Sequence, residues 1–203
     1  MIFHPVVLIL LLLTFMVQEF IPGLEIAQHA TLFLPPVFFF AAAVAVPFPV
    51  MLVLAFVTGF LWDARHMPGA GAMVSDAASL LTIGADTEIA DSKGLPFGMS
   101  IAIFGLLGML LQGIRPLFKR GRLELPVIMV GLTTAGWLFM QYATLTFLRG
   151  SVEFEAMVWT KLITDTLLAM LASPLIFLML YSLARVSSYE IKYEGLRYRF
   201  DGR

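Results

Sequence analysis

From Ala30 to Trp62 the chain carries no charged side chain. A water-soluble domain would have to bury every turn of that stretch. A bilayer core of about 30 Å would instead be crossed by roughly 20 apolar residues in a helix. Similar stretches recur, and the predicted spans are residues 5–22, 31–46, 48–62, 97–114, 125–148 and 158–184. The chain is 60% hydrophobic with a mean hydropathy of +0.91, and only 13% of its residues are charged. A soluble domain has about 25% charged residues, so this one could not cover its surface in water. The expected fold is an all-α integral membrane protein.

The 31–62 region is too long for one straight helix and short for two. Pro47 and Pro49 remove backbone donors and disfavour helical geometry in the residues just before them. A break of that kind belongs near an interface or inside protein. Two short spans, 31–46 and 48–62, give six helices. Pro35 and Pro36 shorten the first of these further, and a five-span arrangement stays open. The N-terminal run starts without Lys or Arg and no A-x-A-like site follows it, so it is read as an uncleaved first span rather than a signal peptide.

Basic residues set the orientation. Arg115, Lys119, Arg120 and Arg122 lie between two spans, and Arg185, Lys192, Arg197, Arg199 and Arg203 follow the last. These are nine of the thirteen Lys and Arg, and that side is expected to be cytoplasmic. With six spans both termini are cytoplasmic. Arg115, Lys119, Arg120, Arg122, Arg197 and Arg199 are candidate contacts for lipid or a partner there. Residues 63–96 are expected to form an acidic extracytoplasmic loop, and between its turn-like ends residues 73–90 fit either a short surface helix or a mobile segment. The tail, residues 186–203, alternates aromatic and charged residues. This suggests a small hairpin that rests on lipid or adds to a partner's sheet edge.

Membrane helices associate through small and polar residues. Gly98, Ala102, Gly105 and Gln112 share one face of the fourth span. Gly131, Thr134 and Gln141 do so on the fifth. On the sixth, Lys161, Asp165, Ala169 and Ala172 form a stripe. Each face suits either packing within the bundle or a partner helix. Lys161 and Asp165 are one turn apart, a spacing at which their charges meet. They are expected to form a neutralised pair near the outer end of the helix.

There is no cysteine, hence no disulfide or thiol-based metal site. Three scattered histidines make no metal-ligand pattern. No P-loop, G-x-S-x-G or H-E-x-x-H occurs. "WDAR" is similar to the opening of the CDP-alcohol phosphotransferase motif, but lacks its D-G and the later aspartates. No enzyme activity, cofactor or nucleic-acid partner is expected.

Read as an order of features, "AFVTGFLWDA", with Gly59 and Asp63 closing a helix, resembles the third span of the rod-shape-determining protein MreD family. "GLPFGMSIAIFGLLG" is similar to that family's entry into the next helix, with Gly98 as the matching glycine. A basic loop, "RPLFKRGR", follows. "KLITDTLLAMLASPLIFLMLYSLAR" is similar to the family's last span, with Asp165 where the family often has a polar amide. Residues 66–93 are an insertion relative to the family's short turn, and the tail is longer. The resemblance implies a non-enzymatic protein of the bacterial inner membrane that binds MreC. Through MreC it would join MreB, RodA and a transpeptidase in positioning lateral peptidoglycan synthesis. It also implies a six-helix bundle similar to the substrate-binding components of energy-coupling-factor transporters. Such a transporter component is the alternative reading. It would need Trp62, Asp63, Trp159 and Lys161 to converge on a ligand pocket.

Overall fold

The computed structural model describes residues 3–20, 32–65, 96–115, 124–149 and 156–187. These residues are helical, with short turns and no strand among them. The helices are α1 (Phe3–Gln18), α2 (Leu34–Ala45), α3 (Phe48–Arg65), α4 (Met99–Ile114), α5 (Glu124–Arg149) and α6 (Ala156–Val186). Their order and approximate bounds follow the six predicted segments. Three of them are long and apolar enough to cross a membrane, over Phe48–Arg65, Glu124–Phe147 and Val158–Val186, while α1, α2 and α4 are shorter apolar helices. The predicted surface helix between residues 66 and 95 and the tail hairpin lie outside the described residues. So do Lys119, Arg120, Arg122, Arg197 and Arg199.

The centre of the bundle is α2. It touches all five other helices, and every residue from Pro35 to Val46 is buried. The sequence "PPVFFFAAAVAV" is apolar on all sides, as a helix with no outward face must be. Phe39 and Phe40 meet Phe104 of α4, at 5.4 and 5.8 Å between ring centres. The three alanines in the same run let neighbouring backbones come close.

A buried helix cannot leave its end groups unpaired, because nothing around it offers a hydrogen bond. At the start of α2, the Leu34 N–H donates to Oε1 of Gln18 at 2.7 Å. Pro35 and Pro36 have no N–H to satisfy. The Val37 N–H donates to the Phe33 carbonyl at 3.2 Å. At the other end, Pro47 stands where the helix would have supplied a donor for the Ala43 carbonyl. The Gln112 amide takes that place, donating to Ala43 O at 2.6 Å and to Val46 O at 2.9 Å. Arg115 also donates to Val46 O, at 3.0 Å. Arg115 is therefore half-buried against the α2–α3 turn.

The chain reverses at Pro47, so α3 runs antiparallel to α2. The Asp63 end of α3 returns to the end of the bundle where α1 finishes. There Arg65 pairs with Glu19 at 3.0 Å. Much of the outward surface is apolar, with Phe56 and Phe60 on α3, Leu106 and Leu110 on α4, and Leu167, Leu171 and Leu175 on α6 all exposed.

Candidate functional site

The residues that carry chemistry gather at the end of the bundle where α3 stops and α4 begins. Asp63 is 6% exposed. Its Oδ2 accepts the backbone N–H of Gly98 at 2.7 Å, across 35 residues of sequence. Gly98 is the residue just before α4 and has φ 94°, a left-handed conformation that glycine adopts without strain. The carboxylate therefore sits at the positive end of the α4 dipole and makes a charge-assisted bond there.

One turn earlier on α3, Gly59 faces Ile101. A methyl group on Gly59 would lie 2.5 Å from the Ile101 Cα, so the two backbones touch with no room for any side chain. Gly59, Asp63 and Gly98 thus belong to one contact: the first sets the distance between α3 and α4, and the other two fix where α4 starts. All three were legible in the sequence as candidates. Their joining was not.

Behind this contact lies an aromatic cluster. Trp137 of α5 meets Trp62 at 4.9 Å, Phe33 at 5.4 Å and Phe104 at 5.6 Å, the last as a stack. Trp62 and Phe33 also touch, at 5.9 Å. Sequence reasoning missed Phe33, Phe104 and Trp137, because an aromatic residue inside an apolar run carries no signal of which neighbour it will meet. Ser100, buried in the first turn of α4, was missed as well.

The other candidates divide. On α5, Gly131 and Thr134 face inward: Gly131 packs against the side chain of Met170, and Thr134 is buried with its hydroxyl bonded to Val130 O. Gln141 is half-buried on the same side. On α4 the inward residues are Ser100, Ile103, Phe104, Leu107, Gly108 and Leu111. Ala102 is exposed, and a methyl on Gly105 would meet nothing within 4 Å. The predicted face of α4 is thus divided: Ala102 and Gly105 look outward, Gly98 and Gln112 bond to Asp63 and to the end of α2, and a further close approach is made by Gly108, against Met51 and Phe39.

The expected Lys161–Asp165 pair is not formed. Asp165 is 3% exposed on the inner side of α6, whereas Lys161 is exposed, and among the described residues no ion pair joins them. Of the four residues a transporter pocket would need, Trp62 and Asp63 are buried and engaged as above, while Trp159 and Lys161 are exposed. No group of three or more His, Cys, Asp or Glu among the described residues could hold a metal ion.

Compared with protein-family models, with curated proteins and with solved structures, the chain finds no match.

Proposed function

We propose that this protein is a non-enzymatic scaffold of the bacterial cell-elongation machinery, similar to the MreD family. In this reading it resides in the inner membrane with six spans and both termini in the cytoplasm. It binds an MreC-like protein and through it reaches MreB, RodA and a transpeptidase. The bundle would then be similar to the substrate-binding components of energy-coupling-factor transporters.

The observation that carries this reading is the contact of Gly59, Asp63 and Gly98. These are the residues on which the family resemblance rests, and they are brought together although Asp63 and Gly98 are 35 positions apart. The alternation of helix directions from α1 to α4 suits an even number of crossings. Several small and polar residues join helices, with Gly59 and Gly108 at close approaches and Gln18, Asp63 and Gln112 bonded to neighbouring segments, which suits a scaffold.

A complementation experiment tests it. Cells lacking the gene should lose rod shape, and the intact gene should restore it. Asp63→Ala at normal protein level should restore it poorly. Rods that persist without the gene would overturn the reading.

A further inference from the structure

Three buried polar groups near the Asp63 end have no hydrogen-bond partner in the protein. They are the hydroxyl of Ser100, the indole Nε1 of Trp137 and the amide Nε2 of Gln141. Ser100 is 1% exposed and Trp137 0%. The contrast with other buried hydroxyls is plain. Thr14, Thr58, Thr134 and Ser173 each donate to a carbonyl of their own helix. Ser100 stands in the first turn of α4, and the Pro96 carbonyl four residues before it is already taken by the Met99 N–H at 3.1 Å.

Helix register places the three groups toward the same end of the α4–α5 interface. Leu107 lies against Gly136 and Phe104 stacks on Trp137, so α4 and α5 run antiparallel. From that stack, one turn back along α4 leads to Ser100, and one turn forward along α5 leads to Gln141. Both steps go toward the same end of the bundle. Across the α5–α6 interface Gly131 packs on Met170. From there Trp137 is six residues along α5 and the buried Asp165 five residues back along α6, at a similar height.

The geometry points to a hydrated site in this end of the bundle, where water accepts hydrogen bonds from Ser100, Trp137 and Gln141. Apolar surroundings leave a buried donor uncompensated, and lipid supplies no acceptor. A polar pocket with several partners is where protein interiors hold water. The amide oxygen of Gln141 provides an acceptor for the water hydrogens. On the outer side the site borders residues 141–146 of α5, all of them half-buried. On the inner side the Phe104–Trp137 stack closes the site.

The absence of native cysteine makes the test direct. Ser100→Cys, Gln141→Cys, Leu107→Cys and Lys161→Cys would be made singly in the full chain. Each would be placed in lipid nanodiscs, with both faces open to a charged, membrane-impermeant methanethiosulfonate. A thiol reacts as thiolate, which requires water around it. Ser100→Cys, although no more exposed than Leu107, and Gln141→Cys should react roughly 10-fold faster than Leu107→Cys and more slowly than exposed Lys161→Cys. Rates equal to that of Leu107→Cys would overturn the proposal. A second measurement leaves Ser100, Trp137 and Gln141 themselves unchanged. With Trp62→Phe and Trp159→Phe, Trp137 is the sole tryptophan, and its emission should rise on transfer from H2O to D2O. Identical emission in the two solvents would contradict a wet indole.

Discussion

Asp63 lies at the carbonyl end of α3, where a negative charge is unfavourable for its own helix. What holds it there is the N-terminus of α4, reached through the Gly98 N–H. Replacing Asp63 with Ala leaves that half-buried N–H without its charged acceptor and should lower stability by about 1–2 kcal/mol. Asp63→Asn keeps an acceptor and should lose less. Unfolding of the purified variants in detergent would read the difference. Gly59 and Gly131 make a second comparison. A methyl at Gly59 strikes the Ile101 backbone, which has nowhere to go, so Gly59→Ala should cost about 1–3 kcal/mol. The same change at Gly131 meets only the flexible side chain of Met170, and should be milder in the same unfolding assay. The sequence marked these residues as candidates by type and spacing. It could not say that Asp63 reaches Gly98, because no local pattern links positions so far apart.

At the scale of the element, prolines inside apolar helices are matched by a borrowed donor. Pro47 deprives the Ala43 carbonyl, and Gln112 from α4 serves it. Pro174 within α6 deprives the Met170 carbonyl, and the neighbouring Ser173 hydroxyl serves it at 3.0 Å. Gln112→Leu should therefore destabilise by about 1–3 kcal/mol although it adds apolar surface, because the buried Ala43 carbonyl loses its donor and the Val46 carbonyl keeps only Arg115. Thermal unfolding in detergent would check it, and no loss of stability would mean that Arg115 alone suffices. The breaks at Pro47 and Pro49 were legible as the boundary between α2 and α3, since proline acts on its own backbone. The inward side of α4 was not. When lipid is as apolar as a protein interior, helical spacing shows which residues share a face but not which way the face points. The same limit explains Lys161 and Asp165. Their separation by one turn was read as a pairing, yet Asp165 turns into the bundle and Lys161 away from it.

For the whole molecule, the organising feature is a short central helix enclosed by the other five. At 12 residues and 1.5 Å per residue, α2 is only about 18 Å long. That is well short of a bilayer core, but a helix that touches only protein does not have to match lipid thickness. If the six helices all cross, the two termini share a side. Reporter fusions at residue 1 and residue 203 should then give the same cytoplasmic signal, and opposite signals would favour five crossings. The six apolar segments were legible in the sequence because each is bounded by charge, glycine or proline. The central place of α2 was not read from it, although its all-round apolar character reflects that place.

The measurement that bears most directly on the scaffold reading is a gentle detergent pull-down of the tagged protein from its native membranes, read by mass spectrometry. The account predicts recovery of an MreC-like protein together with wall-synthesis enzymes. Recovery of paired ATPases and a coupling subunit instead would contradict it and assign the bundle to a transporter.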